Sequence, residues 1–377
     1  MKRNSLTRRS FVRMAGVASL AGQAAWVRVA AGSVEHDSSA ESGRAKFAFV
    51  GAAGRADGVQ VYAIEDEQWT LRQIVPSAAP VSLAVHPSGR TLYVLNEVSE
   101  FQGLPTGSVE AYGLDPNTGQ LDFLVRQGLS LSATMPRHVA VAPDGKSLAV
   151  AVHGGGAYNL LPVLEDGRLG RVRGILKETG SGPVKAHQET AHPQLIVFDS
   201  TGRRVIAADL GSDRVTVISV EDGLEVTGRH EMPAGSGPRH LALHPAGDLL
   251  YVSNALDGSL VGFGYDAIAG RITGQRLQMS GRFGGALCLH PTGEFLFTAA
   301  GSEVTAWRVE ADKLEELQSR KTGADEVRGI IPLHNGREIL ALTSNGIARM
   351  RFDGVRGRMD QPELVASVRG ARCFAAV

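Results

Sequence analysis

The feature that most constrains the fold is a segment of about forty residues that recurs along the chain. Its clearest copy, residues 237–279, reads as four strands separated by turns: LALH, LLYVSNA, SLVGFGYD and ITGQRLQM. The strands are rich in β-branched and aromatic residues, and LLYVSNA is the nearly continuous apolar run of a strand buried on both faces. One four-stranded sheet cannot bury both of its faces, so this segment requires neighbouring copies of itself.

Further copies are present on both sides of this segment. Each has an alternating first strand, a glycine turn and an apolar second strand. The turn glycines lie 43 to 57 residues apart and are Gly89, Gly145, Gly202, Gly247, Gly293 and Gly336. Repeats of this length with four strands each predict a β-propeller.

The two ends of the chain decide the number of blades. Residues 46–73 hold three strands without a first one, whereas residues 371–377 (ARCFAAV) form a strand without a blade of its own. Together they complete one sheet, which closes the ring and leaves no open edge. We therefore predict an all-β fold: a seven-bladed β-propeller of four-stranded antiparallel blades over residues 46–377, closed by the C-terminal strand.

The N-terminal residues read as an export signal. The segment TRRSFVR at residues 7–13 resembles the twin-arginine motif, and the weakly apolar run that follows it is too short to span a membrane. We predict a twin-arginine-type signal peptide at residues 1–31, a flexible leader at 32–45, passage through the twin-arginine export machinery, and a periplasmic or otherwise exported protein. An ordinary secretory signal is the alternative.

Composition excludes some partners. The 377 residues include 39 basic and 39 acidic side chains, so net charge favours neither nucleic acid nor an anionic membrane, and no stable membrane span is expected. Cys288 and Cys373 are the only cysteines. They fall in sheets that are not neighbours in the ring, so we expect two free, buried thiols and no zinc site.

Two positions of each repeat carry polar side chains that should meet. Residues just before a first strand and residues that leave a second strand lie on one face of a propeller, near its central channel. Those of interest are Arg137, His138, Gln188, Glu189, His192, Arg239, His240 and Arg328 in the first group, and Asn96, Glu97, His153, Asp209, Asp213, Arg214 and Asn254 in the second. Arginine can grip a carboxylate and histidine or glutamate can activate water, so the sequence predicts a site for an anionic or carbonyl substrate.

Structural roles are the alternative for several of these positions. Asp209, Asp213 and Arg214 can brace a turn, and the histidines of the glycine turns (His86, His244 and His290) repeat as a structural motif would. The spacing His187-x-Glu189-x-x-His192 could hold a metal ion, but it lacks the i, i+4 spacing of two helical histidines. We expect neither a metal nor a cofactor.

Several of the repeats resemble a known family. The segments GPRHLALHP, AHPQLIVFDSTGRRVIAADLGSDRV, PRHVAVAPDGKSLAVAV and HPSGRTLYVLNE are similar to the seven-bladed lactonase family, which includes 6-phosphogluconolactonase and the carboxymuconate-cyclising enzymes. By position, the resemblance implies a site built from Glu97, His138, Gln188, Glu189, His192, Asp209, Asp213, Arg214, Arg239 and His240. The chain departs from the family at His187, where arginine is usual, and at Gln194, where a second histidine is usual.

The function predicted from these residues is metal-independent hydrolysis of a lactone. Arg239 would hold an acidic group or polarise the carbonyl, and His192 or His138, oriented by Glu189, would accept a proton from water. Substrate contacts are predicted for Glu97, Arg137, Gln188, Asp209, Arg214 and His240. The alternative is a non-catalytic propeller that binds a ligand or partner at the same place; the sixth blade favours it, because Leu287 stands where the resemblance implies an acidic residue.

The predicted substrate is a small unphosphorylated lactone of a sugar acid or a similar compound. An exported protein works away from the cytosolic pool of sugar phosphates. His187 is also a weaker anion clamp near neutral pH than the arginine usual at that position. Both features disfavour a phosphorylated lactone, whose doubly charged group requires several arginines.

Overall fold

The structure is a computed structural model that describes residues 45–53, 58–65, 67–310 and 312–377. The predicted signal peptide, and all of the predicted leader except Ala45, lie outside these residues. In chain order the strands are β1 (Phe47–Ala52), β2 (Gly58–Glu65), β3 (Gln68–Val75), β4 (Pro80–Val85), β5 (Thr91–Asn96), β6 (Ser108–Leu114), β7 (Leu121–Gly128), β8 (Pro136–Val141), β9 (Ser147–Val152), β10 (Ala157–Pro162), β11 (Gly174–Lys177), β12 (Pro193–Phe198), β13 (Arg204–Asp209), β14 (Arg214–Ser219), β15 (Glu225–Glu231), β16 (Pro238–Leu243), β17 (Leu249–Asn254), β18 (Leu260–Asp266), β19 (Arg271–Met279), β20 (Leu287–Leu289), β21 (Phe295–Ala300), β22 (Glu303–Glu310), β23 (Lys313–Lys321), β24 (Val327–Leu333), β25 (Glu338–Thr343), β26 (Gly346–Asp353), β27 (Arg358–Met359), β28 (Glu363–Ser367) and β29 (Ala371–Ala376).

These strands form seven antiparallel sheets, which confirms the seven-bladed propeller. Blade 1 has the strand order β29-β1-β2-β3, and blades 2 to 6 take four consecutive strands each, β4–β7 through β20–β23. Blade 7 contains β24–β26, and its outer position is split between β27 and β28, which both pair with β26. No helix in the described part of the chain is long and apolar enough to cross a membrane.

The C-terminal strand closes the ring as predicted. It pairs antiparallel with β1, with Phe49 opposite Ala375 and Val50 opposite Phe374. The backbone N–H groups of Lys46 and Phe47 also donate to the carbonyl oxygen of Val377, at 2.7 and 2.9 Å. Blade 1 therefore depends on residues from the two ends of the propeller domain.

The cysteines are free thiols, as expected. Blade 7 separates Cys288 in blade 6 from Cys373 in blade 1, so they are not in neighbouring sheets. Burial raises the pKa of the Cys373 thiol to about 12. The expectation that both are fully buried is wrong for Cys288, which is half-buried because the first strand of its blade lines the central channel.

The core lies between neighbouring blades. The second strand of a blade is covered on both faces; every residue of β5, β9 and β25, for example, is buried. Tyr93 and Leu95 of blade 2 pack in one apolar cluster with Leu148 and Val150 of blade 3. This explains why the second strands read as continuous apolar runs in the sequence.

The histidines of the glycine turns join one blade to the next. The Nε2–H of His86 in blade 2 donates to the carbonyl oxygen of Gly145, the turn glycine of blade 3, at 3.0 Å. His244 and His290 lie in the same way against the turn glycines of blades 6 and 7. The predicted structural role of these three histidines is confirmed, and the glycine is needed because a Cβ would occupy the space of the histidine ring.

Two glycine-to-alanine variants separate this contact from backbone strain. Gly145 and Gly323 have left-handed φ values of 73° and 76°, but a Cβ on Gly323 meets no atom within 4 Å. Gly323→Ala should cost only the left-handed strain of about 1–2 kcal/mol. Gly145→Ala should cost about 1–3 kcal/mol more, because it also displaces His86. Equal free energies of unfolding in urea for the two variants would contradict the docking role.

Candidate active site

The first strands of the blades surround a central channel of about 1850 Å³. The sequence placed Arg137-His138, Arg239-His240 and Arg328 just before these strands. They lie instead within them, because β8, β16 and β24 begin at Pro136, Pro238 and Val327. Their positions on the channel wall agree with the prediction, whereas the predicted strand boundaries are wrong by a few residues.

A β-bulge near the start of the first strand explains this shift. In blade 3, Pro136 pairs with Val152 and His138 with Ala151, which leaves Arg137 as the extra residue. Six blades share this arrangement among the described residues, and each extra residue lines the channel. We call them the bulge ring: Val81, Arg137, Gln194, Arg239, Arg328 and Arg372. A bulge aims its extra side chain away from the ladder and is common beside active sites.

Three of the four arginines of the bulge ring already have a carboxylate partner. Arg137 pairs with Glu97 at 2.6 Å, and Arg372 contacts the other oxygen of the same carboxylate. Arg328 pairs with Glu326 at 3.2 Å. Arg239 alone among the four has no carboxylate within 4 Å and no hydrogen-bond acceptor in the residues described. Protein surrounds its guanidinium on most sides, and this burial lowers its pKa, yet its side chain remains exposed to the channel.

Beside Arg239 lies a smaller pocket of about 200 Å³, which we call the mouth pocket. Its lining residues are His153, Ala186, His187, Glu189, His192, Gln194, Leu210 and Arg239. The loop between β11 and β12 supplies half of them: Ala186, His187, Glu189 and His192. The pocket thus brings together His192, Glu189 and Arg239, three of the four residues predicted to be catalytic.

Two histidine rings stack in the mouth pocket. The rings of His153 and His192 lie 4.2 Å apart between centroids, at an interplanar angle of 17°. The Nδ1 atom of His192 lies 3.2 Å from the carbonyl oxygen of His153, which can only accept a hydrogen bond. Nδ1 therefore carries the proton in the neutral ring. Nε2 of His192 is left with a free lone pair, 3.5 Å from the Glu189 carboxylate.

Glu189 is suited to stabilise a proton on His192. Its carboxyl pKa is lowered, first by a hydrogen bond to its own backbone and then by His192 and His153. The side chain is exposed and ionised, whereas His192 is buried beneath it. A water molecule in the pocket would therefore face the Nε2 lone pair of His192. The Glu189 carboxylate would stabilise the His192 ring once it has accepted a proton.

The fourth predicted catalytic residue, His138, lies on the channel wall with His240 and outside the mouth pocket. Burial lowers the pKa of His138 to about 4. It lowers that of His240 to about 3, where Arg239 and His138 add to the effect. Both rings are therefore neutral at ordinary pH. Their predicted roles in catalysis and substrate binding stay predictions.

Three of the predicted substrate-binding residues brace the loops behind the pocket. The amide nitrogen of Gln188 donates to Leu210 O at 2.8 Å and to Asp213 Oδ1 at 2.7 Å. Asp209 accepts from the backbone N–H of His192 at 2.7 Å. Arg214 is outside the pocket, at 2.7 Å from Glu231. Glu97 and Arg137 are occupied by the ion pair described above.

The sequence reasoning did not select His153, Gln194 and Arg372 for the site. His153 appeared among the polar positions, and Gln194 was noted only as a departure from the family. Arg372 follows from the repeat itself, because PR, PQ, VR and AR occupy equivalent positions at the start of first strands. Within the described residues, no group of three His, Cys, Asp or Glu side chains could hold a metal ion.

Comparison with known proteins agrees with this architecture. A family profile described as "Lactonase, 7-bladed beta-propeller" matches residues 46–375. The chain belongs to this lactonase family.

The sequence identity of this chain to individual relatives is moderate. The chain is 29% identical over 221 residues to the 6-phosphogluconolactonase of Bacillus subtilis, and 30% identical over 184 residues to that of Formosa agariphila. These matches span 58% and 47% of this chain, and only 61% and 51% of the two relatives. Among solved structures, the periplasmic gluconolactonase of Pseudomonas aeruginosa superposes with a TM-score of 0.78 at 25% identity, covering 88% of this chain and 98% of the other.

The neutral channel histidines predict acid lability. Above pH 6.5 His240 is uncharged in both the folded and unfolded states, but below it only the unfolded chain gains the proton until pH reaches about 3. The free energy of unfolding should therefore decrease as pH falls from 6.5 toward 3, by up to about 1.4 kcal/mol per pH unit for each such histidine. In His240→Asn, the slope of the free energy of unfolding against pH between pH 6.5 and 4.5 should be smaller by about that amount, as measured by urea unfolding. An unchanged slope would contradict the lowered pKa.

Proposed function

We propose that this protein is an exported hydrolase of a small unphosphorylated lactone, such as the lactone of a sugar acid. The observation that carries the proposal is the pairing of chemistries in the mouth pocket. Arg239, the arginine of the bulge ring without a carboxylate partner, lines the same 200 Å³ space as the His192–Glu189 pair. A base for water and a cation for the carbonyl are the two groups that ester hydrolysis requires.

The geometry supports the following reaction. Nε2 of His192 accepts a proton from water as the water oxygen bonds to the lactone carbonyl carbon. Glu189 stabilises the resulting imidazolium, and Arg239 donates hydrogen bonds to the carbonyl oxygen as it gains negative charge. The tetrahedral intermediate then collapses, the ring C–O bond breaks, and the alkoxide takes the proton from His192. The product is the open hydroxy acid, and the side chains return to their starting states.

The ion pairs of the channel support an unphosphorylated substrate. A phosphate group near neutral pH carries up to two negative charges and is usually bound by several arginines. Here Arg137 and Arg372 share the Glu97 carboxylate, and Arg328 pairs with Glu326. Arg239 is the one of these four arginines without a carboxylate partner, and a single open guanidinium matches a neutral carbonyl or a single carboxylate.

The relatives support lactone chemistry and differ in substrate. Two curated relatives are named for a phosphorylated lactone, whereas the similar structure from Pseudomonas aeruginosa is named a periplasmic gluconolactonase. The carboxylate partners of Arg137, Arg372 and Arg328 favour the second substrate type for this chain. The periplasmic location of that relative also agrees with an export signal at residues 1–31.

The export proposal has a direct test. Replacing Arg8 and Arg9 together by lysine keeps the positive charge but removes the twin-arginine pair. We expect the variant to remain in the cytosol, as measured by cell fractionation, while the unmodified chain reaches the periplasm. Normal export of the variant would show that the signal is an ordinary secretory one.

The activity is tested by hydrolysis of a lactone panel with and without chelator. We expect gluconolactone to be hydrolysed with a higher kcat/KM than 6-phosphogluconolactone, and chelator to have no effect. Arg239→Ala, His192→Ala and Glu189→Gln should each lower kcat/KM; for Arg239→Ala the loss of a transition-state charge partner predicts about 10²-fold. Arg239→Ala and Glu189→Gln should keep the melting temperature within a few degrees, because both side chains are exposed, whereas His192→Ala also removes the packing of a buried ring.

Arg203→Ala is the matched control for the arginine variant. Arg203 lies on the turn between β12 and β13, at the other end of the channel, where its side chain is exposed. Its removal should leave kcat/KM unchanged. Preference for the phosphorylated lactone would overturn the substrate proposal, and failure to hydrolyse any lactone of the panel would favour the non-catalytic propeller.

A further inference from the structure

We propose that His153 is a neutral hydrogen-bond donor to the lactone carbonyl oxygen, and that Gln194 is the residue that positions its proton. The inference rests on the proposed hydrolysis and adds a second group beside Arg239 for the oxygen that becomes negative. It also gives the two stacked histidines opposite tasks: His192 accepts a proton through Nε2, and His153 donates a hydrogen bond through Nε2.

The first step is the orientation of the Gln194 amide. Gln194 is the bulge residue of β12, so its side chain points out of the strand ladder toward the channel. Its amide nitrogen lies 3.1 Å from the carbonyl oxygen of His192. Because a carbonyl oxygen can only accept, the NH2 end of the amide must face it.

The second step follows from the other hydrogen of the same NH2 group. The Gln194 nitrogen also lies 2.8 Å from Nδ1 of His153. An amide nitrogen has no lone pair to offer, so Nδ1 must be the acceptor and must lack a proton. A neutral His153 ring therefore carries its proton on Nε2.

The third step is that this Nε2–H is available to a ligand. His153 lines the mouth pocket together with Arg239. Its Nε2 has no hydrogen-bond partner among the residues that the structure describes, and it is not among the buried polar atoms left without one, so it is open to the pocket. An open N–H beside a free guanidinium is the donor pair needed for an oxyanion.

The fourth step is that His153 remains uncharged while the reaction proceeds. The charged or titratable groups that face it in the pocket are His192, Glu189, His187 and Arg239. The burial of its ring has the largest influence on its pKa, followed by His192, Arg137 and Glu189. Burial, His192 and Arg137 together outweigh Glu189 and lower its pKa to about 4. A proton on His192 raises the cost of a second charge on the stacked ring, so the donor stays a neutral imidazole.

The donor role is tested with two variants of His153 and one control variant. His153→Phe keeps an aromatic ring against His192 but removes the donor, and should lower kcat by about 10²- to 10³-fold with little change in KM. His153→Gln places an amide N–H near the same point and should restore part of the lost kcat. His230→Phe is the control, since this histidine packs against Phe263 on an outer strand, and it should leave kcat unchanged.

Gln194→Glu tests the positioning role. A carboxylate only accepts, so it should move the proton of the neutral His153 ring to Nδ1 and leave Nε2 without its donor hydrogen. In ¹⁵N spectra of labelled histidine, the unmodified protein should show His153 protonated on Nε2 at pH 7. Gln194→Glu should show protonation on Nδ1, and its kcat should fall with that change.

The outcomes separate this inference from the proposed function. If Arg239→Ala and His192→Ala lose lactone hydrolysis while His153→Phe keeps it, the hydrolase stands and the donor role of His153 is overturned. A wild-type ¹⁵N spectrum with His153 protonated on Nδ1 would overturn it independently of any substrate. If no lactone is hydrolysed, the proposed function fails and the donor role fails with it.

Discussion

The structure depends on one packing constraint: a four-stranded blade has two apolar faces and can cover neither alone. Each blade must stack between two others, so the ring must close, and β29 closes it by supplying the missing strand of blade 1. Closure places the first strand of every blade around one channel. The turn histidines then join successive blades through the next glycine turn. The site follows from this arrangement, because equivalent positions of six repeats face one another across the channel.

The bulge ring shows how chemistry can vary on such a scaffold without a change of fold. The backbone geometry at Val81, Arg137, Gln194, Arg239, Arg328 and Arg372 is the same, and only the side chain differs. Surrounding carboxylates then decide which positions remain free to act. Glu97 pairs with both Arg137 and Arg372, and Glu326 pairs with Arg328, which leaves Arg239 as the ring arginine without a carboxylate partner. At one further position of the ring, Gln194 provides an oriented amide. Under the proposed function, specificity depends on residues that pair with or orient other side chains as much as on residues that contact substrate.

The fold could be predicted from the sequence because each repeat shows the same pattern of an alternating first strand, a glycine turn and an apolar second strand. The grouping of His192, Glu189 and Arg239 was also predictable, because position in the repeat gives position around the channel. The orientation of individual atoms was not. Gln188 and Asp209 occupy suitable positions, but their polar groups are used by backbone N–H groups and neighbouring side chains. Gln194 and His153 matter through one shared NH2 group, which only the coordinates of both residues can show.

The central claim is that the mouth pocket binds a lactone with its carbonyl oxygen between Arg239 and His153. The most direct measurement is a crystal structure of the protein with a sugar lactam, a ring amide that resembles the lactone and resists hydrolysis. The lactam should lie in the 200 Å³ mouth pocket, with its carbonyl oxygen about 2.7–3.2 Å from the Arg239 guanidinium and from Nε2 of His153. A lactam bound in the channel away from His192, or with its carbonyl turned toward Glu97 and Arg137, would contradict it.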